Sequence, residues 1–254
     1  MTRLYLSPFS GGTINERKVV EQITELFTIL APSLKCLIIN MPLRSHYPQE
    51  DVVTKLRPIL RQGFSLLTNL EEFSSVQDDL FLAFWDPAID HVFPDEEWEG
   101  HLRHWITGHM FTRYKKLKRL ALSHCDMGPA FLNALSELPF LEKVVVTRPW
   151  PGLFSERFWP KRAGRLFGGR VNFTVVQATD TPSEASVRKI TGGMEDLGVG
   201  ERLDAWNYRL LVGKEEDGVS AMRKWSLERM LKGEMWCLTD LAGPDHLDTS
   251  PISL

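Results

Sequence analysis

Cysteine is scarce in this chain. Cys36, Cys125 and Cys237 are an odd number, far apart, with no C-x-x-C pair. That excludes a disulfide-stapled scaffold and favours a reducing compartment. Long hydrophobic runs are missing too: no window reaches the roughly 18 apolar residues of a membrane span. The opening "MTRLYLSPFSGG" has no apolar h-region of a secretory signal. Charge of one sign is also lacking, with 30 basic residues against 33 acidic ones and a formal net charge of -3. Such a balance argues against a strongly electropositive nucleic-acid surface. The expected protein is intracellular, cytoplasmic or nuclear, with neither nucleic acid nor membrane as a partner. What remains is globular composition, 43% hydrophobic and 25% charged over 254 residues, enough for a sizeable core.

Catalytic signatures are equally thin. His101 and His104 stand three apart, with His109 five later and Glu97 or Glu99 available as a carboxylate, but this is not H-E-x-x-H. Gly192, Gly193, Gly198 and Gly200 make neither G-x-G-x-x-G nor a Walker A loop. No G-x-S-x-G elbow orders the serines. No catalytic residue, metal or cofactor is therefore expected. The alternative is a small hydrolase-like or metal-dependent enzyme with its site near residues 84–109, because triads assemble in space rather than in sequence.

Against these absences stands one regular pattern. In "YKKLKRLALSHCD", Leu117, Leu120, Leu122 and Cys125 follow the L-x-x-L-x-L-x-x-C spacing of a leucine-rich repeat strand and the bend after it. The same frame takes Met1, Leu4 and Leu6, then Leu34, Leu37 and Ile39, and later Leu141, Val144 and Val146. Leu70 and Phe73 fit it as well, with Ser75 a poor third member, and "RVNFTVVQA" alternates as a strand without the leading leucine. The fourth-site residues Leu4, Leu37, Phe73, Leu120 and Val144 are spaced 33, 36, 47 and 24 residues apart, an irregular period.

Helical spacing fills the gaps. Val19, Ile23, Leu26, Phe27 and Leu30 step by three and four, with Asn15 as the expected cap. Leu56, Ile59, Leu60 and Phe64 repeat the arrangement; Leu102, Trp105, Ile106 and Met110 predict a third helix, and "MGPAFLNALSELPFL" a short fourth. Strand, loop and helix then recur, as in stacked units none of which buries its apolar face alone. The expected fold is α/β: a short irregular leucine-rich-repeat solenoid, its curved parallel sheet carrying helices on the convex side. A non-repetitive α/β domain would show similar alternation. The solenoid is assigned to residues 1–180 with an insert near 78–100, and residues 181–254 to a C-terminal capping region and tail. Within that region a helix broken at Gly192–Gly193, a strand at "NYRLLVGKEEDG" and a helix with Met222, Trp225, Leu227 and Met230 are expected.

The stretches "MTRLYLSPFSGGTINE", "ITELFTILAPSLKCLIINMPLRS", "LRPILRQGFSLLTNLEEFSSVQDDLFL" and "LKRLALSHCD…LPFLEKVVVTRP" together resemble the leucine-rich C-terminal portion of fungal F-box-like proteins, over roughly Met1–Pro149. Such proteins dock on the adaptor of a cullin-type ubiquitin ligase through F-box helices and hold a target with their repeats. The resemblance implies a non-catalytic recognition module whose partner is a protein target. No F-box precedes Met1, so the cullin-ligase adaptor is expected as a partner only of a longer chain that carries one.

Strand alternation sends the third, fifth and seventh sites of each frame to the concave face. The candidate protein-binding residues there are Tyr5, Ile38, Asn40, Glu72, Arg119, Ser123, Lys143 and Thr147. Trp85 and Trp98 join them from the aromatic, acidic insert, as anchors of the kind that dominate interfaces. A second aromatic stretch, "RPWPGLFSERFWPKRAGRLFGG", interleaves basic residues and reads as a surface loop at the repeat edge. Cys125, at the ninth site, is expected as a small buried thiol closing the bend.

Overall fold

The computed structural model describes residues 2–9, 14–45, 50–78, 80, 82, 84–85, 105–106, 109–125, 127–149, 163, 166–167, 169–179, 186–189, 205–211 and 217–238. Each leucine frame forms a strand: β1 (Thr2–Leu6), β2 (Leu34–Ile39), β3 (Glu72–Ser75), β6 (Arg119–Ser123) and β7 (Lys143–Thr147). The alternating "NFTVVQAT" becomes β8 (Asn172–Thr179). Two-residue strands β4 (Phe84–Trp85) and β5 (Trp105–Ile106) pair with each other, apart from the main sheet.

The main sheet runs in the order β1-β2-β3-β6-β7-β8, then β10 (Ala205–Leu211) and β9 (Ser186–Lys189). Through β8 every strand lies beside the one that precedes it in that sheet, and every pair is parallel. Register is in step across it. Leu4 faces Leu37, Leu37 faces Phe73, Phe73 faces Leu120, Leu120 faces Val144, and Val144 faces Phe173. The five residues picked out by spacing thus form one row, and Phe173 extends it. Beyond β8, strand β10 adds in parallel and β9 closes the order antiparallel to β10.

A sheet that always steps one way, with crossovers of one hand, receives all its connecting helices on one face. Helices α1 (Arg17–Leu30), α3 (Leu56–Ser65) and α4 (Pro129–Ser136) lie there; a single turn, α2 (Asp51–Thr54), precedes α3. Their buried Val20, Ile23, Phe27, Leu56, Leu60, Phe64, Phe131, Leu132 and Leu135 share one apolar cluster with the row above and with Ile39, Leu122, Val146 and Val175. Burying a side chain of this size contributes about 1.5–3 kcal/mol. Phe27 and Phe64 meet edge to face at 4.9 Å between centroids. Helices α1 and α3 approach closely because position 63 is glycine: a Cβ there would lie 2.9 Å from Thr24 Oγ1. Thr24 Oγ1 donates across the same crossing to the Ile59 carbonyl at 3.2 Å.

The start of α3 is fixed by a buried carboxylate. Asp51 accepts from the Leu56 and Arg57 amides at 2.7 and 3.0 Å, occupying donors that a helix start leaves open. Lys55 between them takes a left-handed conformation with φ 51°.

Several expectations differ from the structure. Asn15 does not cap α1: the N-cap position is Glu16, and no side chain caps it. Trp105 and Ile106 form β5 rather than a helix, and Met110–Arg113 is a 3-10 turn. The run W-I-T-G explains this, since β-branched and aromatic residues favour strands and glycine weakens a helix. Ser186–Lys189 is likewise a strand, not part of a helix. The largest difference concerns α5 (Gly218–Lys232), which lies across the sheet on the face opposite α1, α3 and α4. Among the described residues no helix is long and apolar enough to cross a membrane.

Candidate functional site

The face expected to be concave and open carries α5. Alternation aims Cys36, Ile38, Val76, Ala121, Val145 and Val176 away from the helical core, and all six are buried in a second apolar cluster. Met222, Trp225 and Met230 of α5 complete it, with Met235 and Leu238 from the turn after the helix.

Local chemistry sets the helix in place. Asp217 caps its first turn, accepting from the Val219 amide at 3.1 Å and the Ser220 hydroxyl at 3.0 Å. Gly233 ends it in the left-handed conformation, φ 77°, with its amide bonded back to the last carbonyls. Arg3 of β1 donates to the Met230 carbonyl, and Lys143 of β7 to that of Trp236. Cations at the carboxyl end of a helix are favoured by its dipole. Arg229 adds an ion pair to Glu234 at 3.0 Å and sits 5.8 Å from the Trp225 ring centroid.

A charged ladder runs along the amino-terminal ends of the strands. Glu71 accepts from Lys35 and Lys118, both at 3.0 Å, and Glu72 pairs with Arg119 at 3.0 Å. The two lysine bonds hold the Glu71 carboxyl down at about 2. At the opposite ends of β1, β2 and β3 runs a polar chain: Gln77 donates to Asn40 at 2.8 Å, and Asn40 to Ser7 at 3.3 Å.

The candidate residues therefore separate. Ile38, Ser123 and Thr147 are each 1% exposed, beneath the covered surface. Lys143 is half-buried and bonded to the turn after α5. Glu72 and Arg119 come together in the ladder, Asn40 sits in the polar chain, and Tyr5 is exposed on β1. Trp98 lies outside the described residues, as does the side chain of Trp85, whose backbone belongs to β4.

Two of the three cysteines, Cys36 and Cys125, are buried. Burial and the adjacent Glu72 push Cys36 up to about 12, far from the thiolate a nucleophile needs. Cys125 is fully buried in the helical core, at the bend where the leucine frame puts it. His109 stacks on Phe111 at 5.0 Å and meets Phe131 edge-on at 5.9 Å; His101, His104, Glu97 and Glu99 fall outside the described residues. Among the described residues no group of three His, Cys, Asp or Glu side chains could hold a metal ion.

Sequence reasoning missed the cover, yet a signal for it exists. "CLII" within β2 and "VVV" within β7 are apolar without alternation, as strands buried on both faces must be. An open concave face would have left polar residues at every second site.

No protein-family model, curated protein or solved structure matches the chain significantly.

Proposed function

We propose that this chain is a non-catalytic protein-binding module built as a short leucine-rich-repeat solenoid, its helices on the convex side. By its resemblance it is the target-recognition part of an F-box-type ubiquitin ligase component. The observation that supports this reading is the in-register row Leu4, Leu37, Phe73, Leu120 and Val144 across a sheet that steps in one direction. Stacked strand–helix units generate such a row because each unit places its inward leucine beside the previous one. In a doubly wound sheet the strand order reverses instead, and a ligand crevice opens at the reversal.

With α5 over the middle of the second face, a protein target meets the parts left accessible. These are Tyr5 on the outer strand and the Glu72–Arg119 pair at the strand entrances. A cullin-ligase adaptor would be engaged by F-box helices of a longer chain, not by these residues.

The test is capture of a target from a fungal extract on the immobilised chain, identified by mass spectrometry and remeasured with purified protein. Arg119→Glu and Tyr5→Ala should each weaken the purified interaction; an aromatic anchor at a hot spot is worth about 2 kcal/mol or more. Binding unchanged in both variants, with circular dichroism intact, would remove this surface. Turnover of a substrate by the chain would remove the non-catalytic reading.

A further inference from the structure

Beneath the first half of α5, at the carboxyl ends of β7 and β8, two arginines present N–H groups that nothing described takes up. Thr147 is the last residue of β7 and, by alternation with Val145, faces α5; it is 1% exposed. Arg148 follows with φ 52°, and its amide donates to the Val176 carbonyl of β8 at 2.8 Å. On the helix, Arg223 and Ser226 stand one turn apart. Their neighbours Met222 and Trp225 belong to the same apolar cluster as Val145 and Val176, which holds this stretch of α5 against β7 and β8.

Within this seam Thr147 Oγ1, Ser226 Oγ, Arg148 Nη1 and Arg223 Nε are all buried without a hydrogen-bond partner among the described residues. Thr174 Oγ1, on the same side of β8, is a fifth such atom. Buried polar atoms nearly always find partners, so these unpartnered atoms call for a missing group. The contrast with Arg57 is direct: that guanidinium is fully buried and donates to the Leu43 carbonyl at 2.9 Å.

Of the nearby carboxylates, Asp217 caps α5, and one oxygen of Asp78, Oδ2, accepts from the Arg44 amide at 3.0 Å. Burial first, and the neighbouring Arg223 second, disfavour the Arg148 cation, while Asp217 and Asp78 favour it. Arg223 acts on Arg148 more strongly than either carboxylate, and the arginine fork fits carboxylate and phosphate oxygens, so an anion would add to what Asp217 and Asp78 already supply.

We propose that Arg148 and Arg223, with the hydroxyls of Thr147 and Ser226, form a binding site for a small oxyanion: the phosphate or carboxylate group of a small molecule. The hydroxyls donate to its oxygens from the sheet and the helix, and the guanidinium groups neutralise it. The site ties α5 to the sheet, so filling it stabilises the folded chain.

The test uses the whole chain and two probes, inorganic phosphate and acetate, at constant ionic strength set with sodium chloride. One or both probes should raise Tm progressively with concentration, as expected for binding to the folded state alone. Calorimetric titration should show saturable binding of the same probe. A response to phosphate only, or to acetate only, supports the site and identifies the group it takes. Arg148→Met and Arg223→Met should each reduce affinity about tenfold or more, since charge-assisted bonds are lost. Arg148→Lys, which keeps the charge but removes the fork, should also weaken binding while posing less risk to folding. No response of the unsubstituted chain to either probe would overturn the proposal, and so would an undiminished response in all three variants.

Discussion

The two faces of the sheet differ in construction. The face toward α1, α3 and α4 is deep and aromatic, with Phe27, Phe64, Phe73, Phe111, Tyr114, Phe131 and Phe173 in one cluster. The face toward α5 is shallow, built from Cys36, Ile38, Val76, Ala121, Val145 and Val176, and its cover rests on three methionines, one tryptophan and a leucine. The first is closed by helices that lie between the strands they join. The second is closed by one helix arriving from far along the chain and held at its ends by polar contacts. The difference separates the face that defines the fold from the face that can respond to a ligand.

The sharpest way to break this comparison is to empty each face in turn. Phe64→Ala removes a fully buried ring from the deep face and should cost about 3–5 kcal/mol in denaturant unfolding. Met222→Ala on α5 should cost about 2 kcal/mol, near the lower limit for such a truncation. Equal costs would erase the distinction. Thiol labelling gives the second variant its own readout, because Cys36 is buried under α5 while Cys237 is exposed. The unsubstituted chain should show one fast thiol, Cys237. Met222→Ala should accelerate Cys36 and leave Cys125 protected within the deep face.

A smaller effect is expected at the crossing of α1 and α3. Gly63→Ala ordinarily gains about 1 kcal/mol in helix propensity. Here the new methyl meets Thr24, and overpacking of this kind costs about 1–3 kcal/mol. Net destabilisation in thermal melts is the expected sign, and a gain would show that the crossing yields.

The smallest effect belongs to the charged ladder. Glu71 is held at about 2, below its ordinary 4.5, by Lys35 and Lys118. Because its folded value is depressed, its contribution is present above the ordinary value and is lost as pH falls toward 2. An NMR titration should find this carboxyl still ionised at pH 3, and Lys118→Met should move its midpoint upward. Ordinary titration of Glu71 would show that the ladder does not persist in solution.

Much of the deep face was legible from residue spacing. Leu37, Phe73, Leu120 and Val144 repeat at fixed places in a short frame because each must point at the same core, so period and burial coincide. Even Ser75, a poor frame member, is buried in its strand; its hydroxyl has no partner among the described residues. The second face was not legible by the same means. Its residues occupy frame sites that a repeat leaves free to vary, and the segment that covers them carries no strand-like period. Met222, Trp225 and Met230 announce a helix with an apolar stripe but not the surface that receives it. Arg148 and Arg223 are 75 positions apart in sequence. Only the packing of α5 brings them to one seam. The short strands β5 and β9 were lost for a different reason: each is too brief for either periodicity to dominate.

Sequential pairing also sets the order in which the molecule can be made. Each strand through β8 pairs with one already synthesised, so the growing sheet needs no residue still to come. Its second face must wait. Arg3 meets the Met230 carbonyl across a separation of 227 residues, and until α5 is synthesised Ile38, Val145 and Val176 lack their cover. A nascent chain thus carries a growing apolar stripe that stays uncovered until α5 is made. Exposed surface of that kind is what makes folding intermediates aggregate.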